Sequence, residues 1–292
     1  MIHRFHEFHP FVTFFYYVGA ISLLMIMLHP VFLVAAFLII LGINYQQDRC
    51  KGIKRWRYFI LFSGLFIVVL NPLFNERGLH LLFIIFEHRV TLEAVLYGGI
   101  TALSLIGIVS LFVSYNEVMT PNKLLFLFAR VLPQFAVLLM LTLRFIPLMK
   151  RRLDDISAVQ QSKAITVTTG SLRDKAKNGL LFVQVLLTYS LEEAIQTADS
   201  MKARGYGSGK RSAYEHYRWH RGDVWAISFL FLLLVGSLIG RMLQYGHLTI
   251  YPVMESIQLT QLEPLILLVF VLYLSFPLLV EGGSYLKWRI FN

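Results

Sequence analysis

Cysteine is almost missing from this sequence. Cys50 is the single thiol in 292 residues, which excludes an internal disulfide and a multi-cysteine metal site. Charge is sparse as well, at 15% of residues, and the 17 acids are outnumbered by 27 Lys and Arg. Catalytic signatures are lacking. There is no Gly-x-x-x-x-Gly-Lys-Ser/Thr loop to cradle a nucleotide phosphate. There is no His-Glu-x-x-His pair for zinc and no Gly-x-Ser-x-Gly nucleophile elbow. Gly205-x-Gly207-x-Gly209 has the spacing of a nucleotide loop, but it follows a helical pattern rather than a strand. It reads as a helix C-cap and a flexible turn. No internal repeat is visible, which speaks against an inverted-repeat secondary transporter.

Apolar residues are what the chain has in quantity. They make up 57% of it, mean hydropathy is +0.63, and Phe (24) and Tyr (14) are frequent. That composition is too apolar for a soluble domain and fits a polytopic helical membrane protein. The net charge of +10 then reads as positive charge gathered on the cytoplasmic side rather than as a nucleic-acid footprint. The apolar runs hold almost no ionisable residues; Arg130 and Arg144 come closest and are expected at the cytoplasmic rim. Ion-coupled carriers place such groups near the midplane, so the chain lacks an engine of its own.

His3, His6 and His9 recur at intervals of three and would share a face on a helix. They are the one candidate metal group, weighed against an interfacial segment lying on the membrane. Phe11 to Leu28 and Val31 to Ile43 are short apolar runs separated by His29-Pro30. They predict two short helices in a tight hairpin, or one kinked helix. No small-residue cleavage site precedes His29-Pro30, so the first run is expected to be a retained span. Gln46 to Arg57 carries Arg49, Lys51, Lys54, Arg55 and Arg57 against Asp48, which places it in the cytoplasm. Tyr58 to Leu70 is the next span. Residues 71–92 should be external, with Leu79 to Phe86 too short to span and either re-entrant or interfacial. Leu92 to Tyr115 is a full span whose Gly98, Gly99 and Gly107 permit close helix packing.

Asn116 to Asp223 carries more than half of the 27 Lys and Arg residues. Lys123 to Gln160 reads as helical, with Pro133 and Pro147 inside it. Ile146, Met149, Leu153, Ile156 and Val159 form one stripe at a spacing of three and four. Leu172 to Tyr189 is a second helical segment. Ser190 to Arg204 is an amphipathic third, with Leu191, Ala194, Ile195, Ala198 and Met201 on one face and Glu192, Glu193, Gln196, Asp199 and Lys202 on the other. Asp154-Asp155 could pair as acid and base, but beside Arg151 and Arg152 they read as a solvated ion-pair face. Val224 to Leu243 and Pro264 to Val280 are the last spans, joined by an external loop at 244–261. In this topology both termini are cytoplasmic, and of the 27 Lys and Arg residues only Arg77, Arg89 and Arg241 fall outside. The expected fold class is all-α, with about six transmembrane helices. The expected regions are an N-terminal transmembrane part (1–115), a cytoplasmic coupling region of amphipathic helices (116–222) and C-terminal transmembrane helices (223–292).

Five stretches carry a resemblance: Asn71-Pro-Leu-Phe-Asn-Glu-Arg-Gly78, Thr91-Leu-Glu-Ala-Val-Leu-Tyr-Gly98, Asn116-Glu-Val-Met-Thr120, Leu143-Arg-Phe-Ile-Pro147 and Ala198-Asp-Ser-Met-Lys-Ala-Arg-Gly-Tyr-Gly207. Together, over about residues 70–222, the chain resembles the transmembrane (T) component of energy-coupling factor transporters, the CbiQ-like family. The resemblance implies a vitamin or metal-ion importer of the ABC class in a prokaryotic cell membrane. Two cytoplasmic ABC ATPases would drive it, and a separate membrane-embedded S component would capture substrate. The chain itself would be no enzyme and need no cofactor. It also implies two short Ala-Arg-Gly-like motifs that dock into grooves on the ATPases. The second would be Ala203-Arg204-Gly205. The first would fall at Ser162-Lys163-Ala164, with Lys163 where the family usually has Arg.

Residue chemistry bears on the second motif independently. Arg204 ends an amphipathic helix, and Gly205 can take the left-handed position just beyond it. A guanidinium presents a planar fork of donors to a carboxylate or to groove carbonyls, whereas Lys163 offers a point charge. The alternatives are Arg204 capping its own helix or facing water, and, for the whole chain, a self-contained secondary transporter or channel, or a membrane enzyme.

Overall fold

The computed structural model describes residues 5–75, 78, 80–85, 88–129, 132–163, 165, 170–209, 217–250, 258 and 261–291. They form α1 (Pro10–Ile26), α2 (Pro30–Asp48), α3 (Lys51–Phe74), β1 (Leu81–Ile85), β2 (His88–Thr91), α4 (Leu92–Val118), α5 (Pro121–Ala129), α6 (Pro133–Ser162), α7 (Leu172–Ala203), α8 (Arg221–Met242) and α9 (Glu263–Phe291). The chain divides into two compact units. One holds residues 1–124 and 217–292, and the other holds 125–216.

The first unit is a helical bundle built around aromatic side chains. Phe5, Tyr16, Tyr17, Phe32, Phe270 and Tyr273 are fully buried. Tyr16 stacks on Tyr273 at 5.7 Å, and Phe5 meets Tyr16 edge-on at 5.4 Å, the geometries that ring quadrupoles favour. Inside a bilayer no water is at hand, so each polar tip must find a partner in the protein. Tyr16 Oη donates to the Leu274 carbonyl at 2.8 Å, and Tyr273 Oη to the Tyr16 carbonyl at 3.1 Å. Tyr17 Oη lies 2.8 Å from Ser114 Oγ, which donates to Gln47 Oε1 at 2.7 Å. Ser104 and Asn44 tie α4 to its neighbours by donating to the carbonyls of Leu24 (2.8 Å) and Ser110 (3.1 Å).

Pro30 opens α2 from its N-terminal turn, where a missing N–H costs nothing, and residues 27–29 break the chain from α1. The two-helix hairpin is therefore the form adopted; α1 ends at Ile26, just short of its apolar run, and α2 continues past Ile43 to Asp48. The basic segment at 46–57 is largely helical, because Arg49 and Cys50 (φ 47° and 60°) turn the chain in two residues between α2 and α3.

Leu81–Ile85 pairs antiparallel with His88–Thr91, with Phe83 opposite Val90 and Ile84 opposite Arg89. The Leu-Leu-Phe-Ile-Ile run, read as re-entrant or interfacial, thus forms the one short hairpin in an otherwise helical set of described residues. Its aromatic and β-branched residues favour an extended chain. Thr91 then caps α4 by accepting from the Ala94 N–H at 3.4 Å.

Six of the described helices are long and apolar enough to cross a membrane: α2, α3, α4, α6, α8 and the 263–283 portion of α9. The expected set differs in membership. At 17 residues α1 sits at the short limit of a span. Helix α6 joins the set through its apolar first half, although its most apolar 18 residues, with a mean hydropathy of 1.3, are the least apolar of the six. The glycines of α4 divide by face. A Cβ on Gly98 would lie 3.2 Å from Asn71 Cβ and 3.5 Å from the Val68 backbone, so its bareness lets α3 approach. A Cβ on Gly99 would meet nothing within 4 Å among the described residues.

In the second unit, the helix expected over 123–160 is two helices. α5 stops at Ala129, and α6 restarts at Pro133, where proline suits a first turn. Pro147 lies inside α6 without ending it. The segments expected at 172–189 and 190–204 are one helix, α7, since no glycine or proline separates Tyr189 from Ser190. Ser171 caps it, accepting from the Asp174 N–H at 3.3 Å and donating to Asp174 Oδ2 at 2.6 Å.

Candidate functional site

Three features of the second unit make up the candidate site: one helix-on-helix contact and two helix ends. In the contact, Ile156 of α6 and Phe182 of α7 are buried. Ser190 Oγ donates to the Leu186 carbonyl at 2.7 Å and lies 2.9 Å from Met149 Sδ. The Arg152 guanidinium lies 5.7 Å from the Tyr189 ring centroid, within cation–π range. A cleft of about 150 Å³ opens alongside, lined by Arg152, Asp155, Ile156, Val159, Gln160, Val185 and Tyr189. Of the stripe expected from Ile146 to Val159, only Met149 and Ile156 reach this contact to any depth. Ile146 and Val159 stay more than half exposed.

Arg204 caps the C-terminal end of α7. The Gly205 N–H donates to the Lys202 carbonyl at 2.9 Å and the Tyr206 N–H to the Met201 carbonyl at 2.9 Å, while Gly205 sits at φ +78°. This is a complete Schellman ending. It satisfies carbonyls that the helix end would otherwise leave open and fixes the direction in which the chain leaves. Ala203, Arg204 and Gly205 are all exposed.

Lys163 occupies the matching position on α6, as its C-cap, with φ −94° and ψ 12°. Its N–H and that of Ile165 both donate to the Gln160 carbonyl at 3.0 Å, and Ser162 Oγ donates to the Val159 carbonyl at 2.7 Å. Ser162 and Lys163 are exposed; Ala164 lies outside the described residues. The two expected motifs are not brought together. Lys163 lies about 10 Å along α6 beyond Ile156, and Arg204 about 25 Å along α7 beyond the Val185–Tyr189 stretch, at 1.5 Å per residue. The packed contact lies between the two ends.

Helix α7 also carries a ridge that its division into two segments hid. Leu180, Val183, Leu187, Leu191 and Ile195 follow each other at a spacing of three and four, and each is at least half exposed. Only Leu191 and Ile195 belong to the face expected from sequence. The signal for the rest was the same periodicity, carried across the unbroken Tyr189-Ser190 junction.

The histidine group is not assembled as an i, i+3, i+6 face. His9 precedes α1 as its N-cap, so no continuous helix runs from it back to His6. Its ring stacks on Trp219 at 4.2 Å and its Nδ1 accepts from the Phe11 N–H at 3.2 Å. Its own N–H donates to Asp223 Oδ1 at 3.0 Å. Burial holds the His9 pKa below its ordinary 6.5, with the Asp223 charge opposing. His3 lies outside the described residues, as does Arg130. Among the described residues no group of three His, Cys, Asp or Glu side chains could hold a metal ion.

The architecture defines an α-helical, polytopic membrane protein whose second unit presents two exposed, capped helix ends. The family described as cobalt transport protein, CbiQ, matches residues 1–215, and the chain belongs to that family. The match takes in the α1–α2 hairpin, where the sequence motifs were silent, and stops before α8. Among similar proteins is the "Energy-coupling factor transporter transmembrane protein EcfT 1" of Listeria monocytogenes. It is 29% identical over 205 residues, 65% of this chain and 74% of that protein. The protein of Staphylococcus aureus named EcfT is 25% identical, covering 62% and 69% of the two chains. That of Streptococcus thermophilus is 28% identical, covering 64% and 73%. The family makes this chain a bacterial membrane protein of transport.

Proposed function

We propose that this chain is the coupling subunit of an energy-coupling factor importer. It joins two cytoplasmic ABC ATPases to a membrane-embedded S component that captures a vitamin or a metal ion. Both termini and the two helix ends lie on the cytoplasmic side in this reading, which the distribution of basic residues supports. Arg204 enters a groove on one ATPase with its fork of donors, flanked by Ala203 and Gly205, which leave room for a close approach. Lys163, between Ser162 and Ala164, meets the other ATPase through a less directional charge.

The observation that carries the reading is the placement of the two ends on either side of one contact. Met149, Arg152 and Ile156 against Phe182, Val185, Tyr189 and Ser190 form a fixed crossing. A push on Arg204 or Lys163 is then delivered through that crossing as a rotation of the other helix. The exposed ridge of α7 moves with it and shifts the S component. ATP hydrolysis belongs to the partners; this chain transmits.

The test is Arg204→Glu. It inverts the charge at the exposed end without touching the Schellman hydrogen bonds, which are all backbone. The variant should insert and accumulate normally while co-purification of the ATPases and substrate uptake are both lost. ATPases that co-purify at the parent level with Arg204→Glu sink the assignment.

A further inference from the structure

The first unit holds an apolar cavity of about 420 Å³ lined by Pro30, Val68, Val95, Leu96, Gly99, Ile100, Leu103, Leu248 and Ile250. From this cavity we propose that the chain binds a single phospholipid by one acyl chain, inserted between α2, α3 and α4.

Two consecutive glycines of α4 serve opposite purposes. Gly98 faces α3 and is closed upon by Asn71 and Val68. Gly99 faces about 100° away around the helix, where a Cβ would meet no described residue within 4 Å. Packing among the described residues explains the first glycine and not the second. The missing side chain opens the wall of the bundle.

The mouth lies in the membrane. Gly99 and Leu96 are its exposed members, and α4 is one of the candidate spans. Gly99 is seven residues into that helix, about 10 Å at 1.5 Å per residue. Against a hydrocarbon core of about 30 Å, that depth belongs to the leaflet away from the Arg49–Cys50 turn. On α3, the neighbouring Leu65 and Val69 are more than half exposed, so the mouth is continuous with the lipid-facing surface. Leu248 and Ile250, both 4% exposed, close its outer end. All eight side chains that line it are apolar, so they offer water no hydrogen-bond partners. The medium bathing the mouth is acyl chain, and the chemistry of the walls fits an acyl chain.

The experiment uses the full-length protein extracted from membranes and native mass spectrometry. The parent should retain one phospholipid per chain under activation that strips the remainder. Gly99→Phe, which fills the cavity from its mouth, should lower that retained fraction at least fivefold. Gly99→Ala and the lipid-facing control Leu65→Phe should keep it within twofold. Should Gly99→Phe fail to accumulate, Leu103→Trp fills the cavity from a second lining position and is held to the same expectation. No retained phospholipid on the parent, or equal retention in the filled variants, overturns the proposal. So does a photoreactive side chain at position 99 that crosslinks to protein rather than to phospholipid.

Discussion

The Schellman ending of α7 makes Gly205 the most informative single position in the second unit. Gly205 sits at φ +78°, and two backbone hydrogen bonds of 2.9 Å depend on it staying there. Space is not the obstacle to a side chain, since a Cβ would lie 3.1 Å from Ser208 Oγ, the end of a side chain that can rotate away. The obstacle is the backbone. An L-residue in the left-handed region pays roughly 1–2 kcal/mol, and more if it is β-branched. Asn visits the region with local hydrogen bonding and pays less. One to two kcal/mol corresponds to a roughly 5- to 30-fold loss in the population of the capped end. The cost is local, because Ala203 to Gly209 are all exposed. Amide hydrogen exchange at Gly205 and Tyr206 should therefore rank Gly slowest, then Asn, Ala and Val, while the remainder of α7 is unchanged. ATPase affinity should fall in the same order, because Arg204 loses its fixed exit direction. Equal exchange and equal affinity for Gly205→Asn and Gly205→Val would refute the reasoning, since the two differ chiefly in tolerance of positive φ.

Lys163→Ala should weaken ATPase association less than Arg204→Ala, and Lys163→Arg should strengthen it; a Lys163→Ala variant with unaltered assembly and uptake means that the first motif lies elsewhere. Phe182→Ala removes a buried ring from the α6–α7 contact and should destabilise that contact by about 3–5 kcal/mol; ATPases should still co-purify while uptake collapses, and retained uptake would show that the crossing transmits nothing. His9 supplies a pH test. Its folded pKa lies below 6.5, so an unfolded chain takes up the proton first as pH falls. The stability it contributes is present above about pH 6.5 and declines as pH falls below that value; protonation also removes the Nδ1 acceptor of the Phe11 N–H. A thermal-unfolding midpoint that drops between pH 7 and pH 5 in the parent, and drops less in His9→Gln, is the expected pattern.

Much of the fold was legible because lipid imposes simple rules. Apolar runs of span length, proline breaks and basic turns located α2, α3, α4, α8 and α9, since a spanning segment has few other ways to satisfy its backbone. Junctions were less legible. Arg49 and Cys50 turn the chain through left-handed conformations that neither side chain advertises, so the segment from Gln46 to Arg57 could be placed by its charge but not resolved into two helices and a two-residue turn. The 81–91 hairpin was hidden because five apolar residues suit a strand and an interfacial segment equally. Helix α6 shows the remaining ambiguity. Its first half has span-like composition, its second half carries Lys150-Arg151-Arg152, and hydropathy does not separate a span from a helix that rests against the membrane.

The candidate site was legible in its ends and not in its middle. Gly205 can be read from sequence because positive φ has so few residue solutions, and the helix that precedes it announces where the end must be. The contact between α6 and α7 has no such signature. Met149, Ile156 and Phe182 look like any apolar residues at helical spacing, and only the fold shows which of them meet. That asymmetry has a functional consequence. In the proposed coupling role, an end whose local geometry is set without the partner costs less to bind, and the Schellman hydrogen bonds set it for Arg204. The crossing needs only to be stiff, and a buried ring, a buried Ile and a cation over Tyr189 are enough to make it so. Substitutions at the ends should therefore alter which proteins bind, and substitutions at the crossing should alter what binding achieves. Arg204→Glu and Phe182→Ala, measured side by side for assembly and for uptake, separate the two roles: both should abolish uptake, and only the first should abolish assembly. Loss of assembly in both would mean that the crossing shapes the ends rather than linking them.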